Sequence, residues 1–152
     1  MIFLIDKDKK FTLEVLGYEF SSPDLFEDLN WVNVKINARE FNNEWSATSS
    51  VLTAVELQEL YIWLKNIRNE NYEKPRINFI ENEFSMGVDV QNKKIIIYLT
   101  FDFHPKGKLF DYGKDFEHEL FFDLTLNRID ELLKGLQKLV RDFPIRYQNN
   151  YS

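Results

Sequence analysis

The stretch from Lys94 to His104, with the sequence KIIIYLTFDFH, is the longest run of β-branched and aromatic residues in the chain. Such residues favour strands, and the run is too short to cross a bilayer. At a period of two residues, one face is wholly apolar and carries Ile95, Ile97, Leu99, Phe101 and Phe103. The opposite face turns polar toward its end and carries Ile96, Tyr98, Thr100, Asp102 and His104. This pattern is typical of a central strand in a sheet that helices cover on one side only.

Other segments are expected to form strands because their apolar and polar side chains alternate or because polar turns flank them. They are Met1–Ile5, Phe11–Phe20, Trp31–Phe41, Glu44–Ser49, Ile77–Val90 and Glu119–Thr125. Asn42 and Asn43 predict a tight turn, since asparagine tolerates positive φ. Gly17 indicates a β-bulge. The segment from His104 to His118 is expected to be a long loop.

The first predicted helix begins with a capping box at Thr53 and Glu56, in which each side chain accepts a hydrogen bond from the other residue's backbone N–H. The apolar stripe that follows has helical spacing, with Trp63 at its margin. It comprises Leu57, Leu60, Tyr61, Leu64 and Ile67. The polar run that ends at Pro75 is expected to terminate this helix.

The second helix is expected to begin at Asn127 as N-cap, with Asp130 three residues later, and to end at Pro144. Gly135 lies off its apolar stripe, where it either allows a close approach or is tolerated at a cost of about 1 kcal/mol relative to alanine. The stripe comprises Ile129, Leu132, Leu133, Leu136, Val140 and Phe143.

Together these elements predict the α+β class, with an antiparallel sheet of about six to seven strands and two helices packed on one face. A length of 152 residues favours a single domain, residues 1–152, that buries about two-thirds of its unfolded surface.

The composition limits the cellular compartment and the class of partner that we expect for this chain. The chain contains no cysteine, which excludes disulfides and thiolate chemistry, and MIFLI lacks the features of a signal peptide. Both observations fit a cytoplasmic protein. A net charge of −6 argues against nucleic acid or an anionic membrane as the main partner and favours a basic protein.

Two histidines, His104 and His118, have carboxylates near them in the sequence, and these are residue types that form metal sites and acid–base sites. These neighbours are Asp102, Asp111, Asp115 and Glu117. The spacing matches no ligand signature such as HExxH, so no metal or other cofactor is expected. The alternative interpretation is a pair of surface histidines beside a loop. Motifs of serine hydrolases and of phosphate-binding loops are absent from the sequence.

A second candidate site follows from strand parity. The alternation that sends apolar side chains to the core sends acidic and aromatic side chains to the opposite face. The predicted partner-binding residues are Glu83, Asp89, Tyr98, Asp102, Glu119, Phe121 and Asp123. Aromatic anchors and carboxylates on one surface suit a basic protein partner. The alternative is an ordinary solvated sheet face.

Several pieces of the chain, taken in order, carry a family resemblance from about Trp31 onward. They are Glu44-Trp45-Ser46, the segment from Leu52 to Leu64, the run Phe79–Ser85, and a closing helix that leads into Phe143-Pro144-Ile145-Arg146. In these pieces the chain resembles the WapI family of bacterial immunity proteins.

The resemblance implies a small cytoplasmic protein that binds and neutralises the C-terminal toxin of a wall-associated contact-inhibition protein, typically a nuclease. It supplies no residues for toxin contact, so the proposed face depends on strand parity alone. The alternatives are a small hydrolase or metal-binding enzyme that uses His104 and His118, and a binding domain with another partner.

Overall fold

Strand pairing divides the protein into two antiparallel sheets. The computed structural model describes residues 1–21 and 26–147. Within these residues the strands are β1 Ile2–Ile5, β2 Lys9–Tyr18, β3 Trp31–Glu40, β4 Asn43–Thr53, β5 Arg76–Ile77, β6 Phe84–Asp89, β7 Lys94–Leu99 and β8 His118–Asp123. The helices are α1 Phe26–Leu29, α2 Ala54–Arg68 and α3 Leu126–Asp142. No helix in this described part is long and apolar enough to cross a membrane.

The two sheets have the strand orders β1-β2-β3-β4 and β5-β6-β7-β8. The α+β class, the antiparallel pairing and the two long helices are confirmed, but the expectation of one sheet of six to seven strands is wrong. The reason is that α2 separates β4 from β5, and each sheet has an apolar face to bury. Phe11 of β2 stacks on Phe84 of β6, with ring centroids 5.7 Å apart. The two inner faces therefore contribute to one core.

Alternation correctly predicts the inner face of the first sheet. Its β3 contribution, formed by Val32, Val34, Ile36 and Ala38, is fully buried. The register shifts between Val15 and Gly17, which confirms the bulge.

The predicted turn between β3 and β4 is off by one residue. Glu40 pairs with Asn43, so Phe41 and Asn42 form the turn, and Phe41 adopts the positive φ of 54°.

Two predicted strands are shorter than expected. The segment predicted as Ile77–Val90 breaks into β5 and β6 because the chain reverses direction, and Ile77 of β5 pairs antiparallel with Met86 of β6. Within the reversal the Ile80 N–H donates to the Glu56 carboxylate at 2.9 Å. The central strand ends at Leu99, and a 3₁₀ turn at Phe101–Phe103 follows. Phe101 has a φ of 50°, which is incompatible with an extended strand. Its side chain is consequently exposed and not part of the core.

The capping box of α2 is confirmed. The Thr53 hydroxyl accepts from the Glu56 N–H at 3.1 Å, and the Glu56 carboxylate accepts from the Thr53 N–H at 3.1 Å. Trp63, expected at the margin of the stripe, is buried and donates its indole N–H to the Lys74 carbonyl. The buried residues of α2 are Ala54, Glu56, Leu57, Leu60, Trp63, Leu64 and Ile67.

The N-cap of α3 is Thr125, and the prediction of Asn127 is wrong. Thr125 has extended backbone angles, and its side chain accepts from the Arg128 N–H at 3.2 Å. The predicted cap lies too late because β8 ends at Asp123 and leaves only a short connection. Gly135 allows a close approach, since a Cβ at that position would lie 2.5 Å from the Met1 carbonyl oxygen. This contact lets α3 pack against β1.

Arg146 joins the end of the described chain to the segment before β3. Its guanidinium donates to the carbonyls of Phe20, Ser21 and Leu29, and lies 3.7 Å from the Tyr18 ring centroid. The backbone N–H and C=O of Arg146 also pair with the side chain of Asn30 at 2.8 and 3.0 Å. Arg146 therefore has a structural role.

We expect Leu136→Ala to lower the free energy of unfolding by about 2–5 kcal/mol, because Leu136 is fully buried between α3 and the rest of the core. The matched control is Leu126→Ala in the same helix, where the side chain is mostly exposed and the loss should be about 0.5 kcal/mol or less. Urea denaturation followed by circular dichroism measures both. Similar losses at the two positions would contradict the packing of α3 described above.

Candidate protein-binding site

Strand register places five of the seven predicted contact residues on one side of the second sheet. Tyr98 lies between Ser85 and Glu119, and Lys94 lies between Asp89 and Asp123. Phe121 shares their parity, opposite Ile96. We call this side, which faces away from the core, the outer face. The other two predicted residues, Glu83 and Asp102, lie beyond the strand ends.

An arginine that the parity argument did not include covers the middle of the outer face. The Arg76 guanidinium lies 3.7 Å from the Tyr98 ring centroid and forms two hydrogen bonds, at 2.9 and 2.7 Å, with the Glu117 carboxylate. It also donates to the Ser85 hydroxyl at 2.9 Å. The space beneath Tyr98 is narrow, since a Cβ at Gly87 would lie 3.1 Å from the ring.

Tyr98 is therefore enclosed between Gly87 and Arg76, and burial raises the pKa of its hydroxyl. Such a ring is not available as a free aromatic anchor. The planar guanidinium suits this position because it stacks on the ring and binds the carboxylate with two parallel hydrogen bonds. Arg76 neutralises much of the negative charge in the middle of the face.

Two carboxylates at the far end of the outer face also have partners within the protein. Asp123 accepts from the Lys94 ammonium at 2.6 Å, and this hydrogen bond lowers the pKa of Asp123. Asp89 accepts from the backbone and the side-chain amide of Asn92 at 3.1 and 2.8 Å, which lowers the pKa of Asp89. These acids stabilise the strand pairing and the turn between β6 and β7.

The opposite end carries negative charge that no cation offsets. Burial, and then the charges of Asp102 and Glu81, raise the pKa of Glu83 to about 7, against a smaller opposing effect of a hydrogen bond from Ser49. One carboxylate oxygen of Glu83 is buried without a hydrogen-bond partner in the described part of the chain. Among residues 1–21 and 26–147 no salt bridge reaches Glu81, Glu83 or Asp102. We call these three residues the acidic cluster.

The structure brings the two histidines together, but with a carboxylate that the sequence did not suggest. The rings of His104 and His118 are perpendicular, with centroids 5.8 Å apart. His118 Nε2 lies 2.9 Å from a carboxylate oxygen of Glu40, on the other sheet. The nearby acids are used elsewhere, since Glu117 pairs with Arg76 and Asp115 pairs with Lys106. No local sequence signal indicates a contact between residues 78 positions apart.

His104 is buried, so its interpretation as a surface histidine is wrong. Its Nδ1 accepts from the Lys106 N–H at 3.0 Å, and its Nε2 lies 3.1 Å from the Phe116 carbonyl. These partners assign the neutral tautomer protonated on Nε2, and both nitrogens are occupied. Burial, followed by the neighbouring His118, lowers the pKa of His104. The ring therefore connects the two ends of a loop.

Two observations bear on an enzyme or metal site at these histidines. No group of three or more histidine or carboxylate side chains in the described residues could hold a metal ion. A surface cleft of about 540 Å³ lies between residues 53–59 and 78–80, on the side of α2, and neither histidine lines it.

The loop between β7 and β8 carries a group of aromatic side chains at the surface. The Phe101 ring lies 5.1 Å from that of Phe110 and stacks on that of Tyr112 at 5.8 Å. Phe110 also contacts His104, with centroids 4.7 Å apart. We call residues 101–117 the aromatic loop. Sequence analysis missed this group because it assigned Phe101 to the core.

We expect Glu83→Gln to raise the free energy of unfolding by about 1 kcal/mol at pH 8, after allowance for solvent screening at this half-buried site. The folded-state pKa of about 7 lies above the ordinary value of 4.5, so ionisation destabilises the folded protein as the pH rises between these values. The gain should shrink toward zero at pH 5. Urea denaturation at both pH values measures it, with Glu131→Gln on the exposed side of α3 as control. An equal gain at both pH values would contradict the assignment.

We expect His104→Ala to lower the free energy of unfolding by about 1–3 kcal/mol, because the Lys106 N–H and the Phe116 carbonyl both lose their partner. His118→Ala removes a pair with Glu40 whose side chains are 26% and 27% exposed, and it should cost less because solvent screens the pair. Urea denaturation at pH 7.5 compares the two variants. A His104 variant as stable as the parent protein would exclude the structural role.

Comparison with known proteins adds one finding. The family model described as the immunity protein WapI-like family matches residues 1–144, from the start of the chain through the end of α3. No curated protein and no solved structure matches the chain.

Proposed function

Because the chain belongs to the WapI-like family of immunity proteins, we propose that it binds a basic toxin domain, of the nuclease class, and neutralises it in the cytoplasm by covering its substrate groove. Family membership implies a cognate toxin and a non-enzymatic role. The observation that carries the finer proposal is the acidic cluster, whose residues lie beyond one end of the second sheet and form no salt bridge among the described residues.

A nuclease is the toxin class that best fits this charge. An enzyme that cleaves nucleic acid needs a positive groove to hold the phosphates of its substrate. An inhibitor with an acidic surface associates faster with such a groove, and it also excludes the substrate. The net charge of −6 favours the same encounter over longer distances.

The proposed contact retains the seven predicted residues with unequal roles. Glu83, Asp102 and Glu119 form no salt bridge among the described residues. Asp102 and Glu119 supply the charge for the toxin, and Glu83 adds to it as the pH rises, because its pKa of about 7 leaves it partly protonated at neutral pH. Phe121 supplies apolar area. The remaining three contribute less to the contact, because internal partners already engage Asp89, Tyr98 and Asp123.

The enzymatic alternative uses His104 or His118 with a carboxylate. His104 is already engaged, because both of its ring nitrogens bond to the backbone of its own loop. His118 and Glu40 are close enough for proton exchange, but a pair of this kind also serves to hold two sheets together.

The proposal predicts that the double variant Asp102→Lys with Glu119→Lys weakens binding to the toxin domain encoded by the adjacent reading frame by well over tenfold, or about 1.4 kcal/mol. Most of the loss should be in the association rate, and salt should slow association of the parent protein. Surface plasmon resonance measures both rates, and circular dichroism checks folding. Asp123 is left unchanged because it pairs with Lys94.

The matched control is Glu59→Lys with Glu131→Lys, which changes the net charge equally on the exposed surfaces of α2 and α3. It should lose far less affinity than the outer-face variant. Equal losses would mean that only net charge matters, and a loss in the control alone would move the contact to the helices. Inhibition of cleavage of DNA or RNA at one immunity protein per toxin tests the nuclease assignment directly.

A further inference from the structure

The aromatic loop exposes large apolar side chains to an unusual degree. Leu109, Tyr112 and Phe116 are 83%, 80% and 87% exposed, and Phe101 is 41% exposed. Single exposed apolar residues occur on every protein, but several within one short loop are typical of an interaction surface. These side chains lie next to the predicted acidic contact and do not belong to it.

Hydrogen bonds fix the loop although it contains little regular structure. His104 connects Lys106 to Phe116, and the Trp45 indole donates to the Phe103 carbonyl at 2.9 Å. The Phe103 side chain is fully buried and anchors the loop in the core. Asp115 accepts from the backbone N–H of Asp111 at 2.8 Å. A loop held in this way presents its exposed side chains with little ordering cost on binding.

The backbone keeps the Phe101 ring at the surface. Its φ of 50° lies in the left-handed region, which is unfavourable for a bulky residue. This conformation ends β7 and directs the ring onto Tyr112, with 10° between the two planes, and away from the core. The fold thus accepts local strain where it exposes an aromatic pair.

The acidic cluster borders this aromatic pair. Thr100, which precedes Phe101, donates its N–H to the Glu83 carbonyl and its hydroxyl to the Asn82 carbonyl, both at 2.9 Å. Within the aromatic loop, Lys106 is paired with Asp115, and Lys108 and Lys114 are exposed. The loop is therefore close to neutral by itself, and the negative charge is concentrated where it meets residues 81–83.

The same molecule shows what such a combination of groups binds. On the outer face, an aromatic ring and a carboxylate hold the Arg76 guanidinium, which stacks on Tyr98 and forms two hydrogen bonds with Glu117. The exposed rings of Phe101 and Tyr112, with the exposed Asp102 next to Phe101 in the sequence, provide the same types of group at the surface. Arginine combines stacking on a ring with binding to a carboxylate better than lysine does.

We infer that the aromatic loop and the acidic cluster together receive an arginine-bearing, partly apolar surface of the toxin domain, with the aromatic loop as the apolar centre of the contact. This inference rests on the proposed function and extends it, because it adds residues 101–117 to an interface so far defined by charge. The charged groups govern the rate of association, and the apolar contacts govern the lifetime of the complex.

The test is the double variant Leu109→Ser with Tyr112→Ser, compared with Leu16→Ser and Leu126→Ser, which remove exposed apolar side chains elsewhere. The probe is the toxin domain encoded by the adjacent reading frame, with binding measured by surface plasmon resonance. We expect the loop variant to dissociate at least about tenfold faster with little change in association rate. The control variant should dissociate like the parent protein, and Tyr112→Phe should retain the parent lifetime because it keeps the ring.

The outcomes separate this inference from the proposal on which it rests. A complex that forms normally and is insensitive to the loop variant overturns the inference and leaves the proposed function intact. Equal effects of the loop and control variants overturn it as well. If the parent protein forms no complex with the toxin domain, both the proposed function and the inference fail.

Discussion

The carboxylate of Glu56 connects the start of α2 to the segment between β5 and β6. It accepts from the Thr53 N–H at the start of α2, and it also accepts from the Ile80 N–H in the segment between β5 and β6. Burial raises the pKa of this carboxyl, while the backbone hydrogen bonds from Ile80 and Thr53 partly compensate. The chain reverses direction between β5 and β6, which pair antiparallel, and Ile80 lies within this reversal together with Glu81 and Glu83. The Glu56 carboxylate therefore holds the segment that carries two members of the acidic cluster.

Local chemistry made much of this architecture predictable. The capping box needs only residues three positions apart, and the burial of β3 follows from alternation along one strand. The arrangement of the strands in two sheets was not predictable in this way. Pairing of Phe11 with Phe84 depends on which apolar faces meet after α2 has formed, and no short-range pattern carries that information. The positive φ of Phe101 was missed because the residues that signal this conformation are glycine and asparagine.

In the candidate site, too, contacts along one strand could be predicted from the sequence and contacts between distant segments could not. Parity placed Asp89, Tyr98 and Asp123 on a common face, as the register requires. It could not show that Arg76 would stack across that face, because Arg76 comes from a two-residue strand that lacks any alternation. Charge on a sheet is therefore an incomplete guide to where a partner binds. The cations that reach the sheet from neighbouring segments decide which acids stay free.

The contact between α3 and β1 has a consequence for how the chain folds. Gly135 packs against the Met1 carbonyl, and the Arg128 guanidinium donates to the Ile5 carbonyl, 123 residues earlier in the sequence. Contacts between such distant residues form late, because the loop that joins them must first be closed at a cost in entropy. On a ribosome the β1–β2 hairpin emerges long before α3, the helix that covers it. The apolar side chains of the hairpin therefore lack this cover until α3 has been synthesised. The packing around β1 can therefore be completed only after α3 has been synthesised.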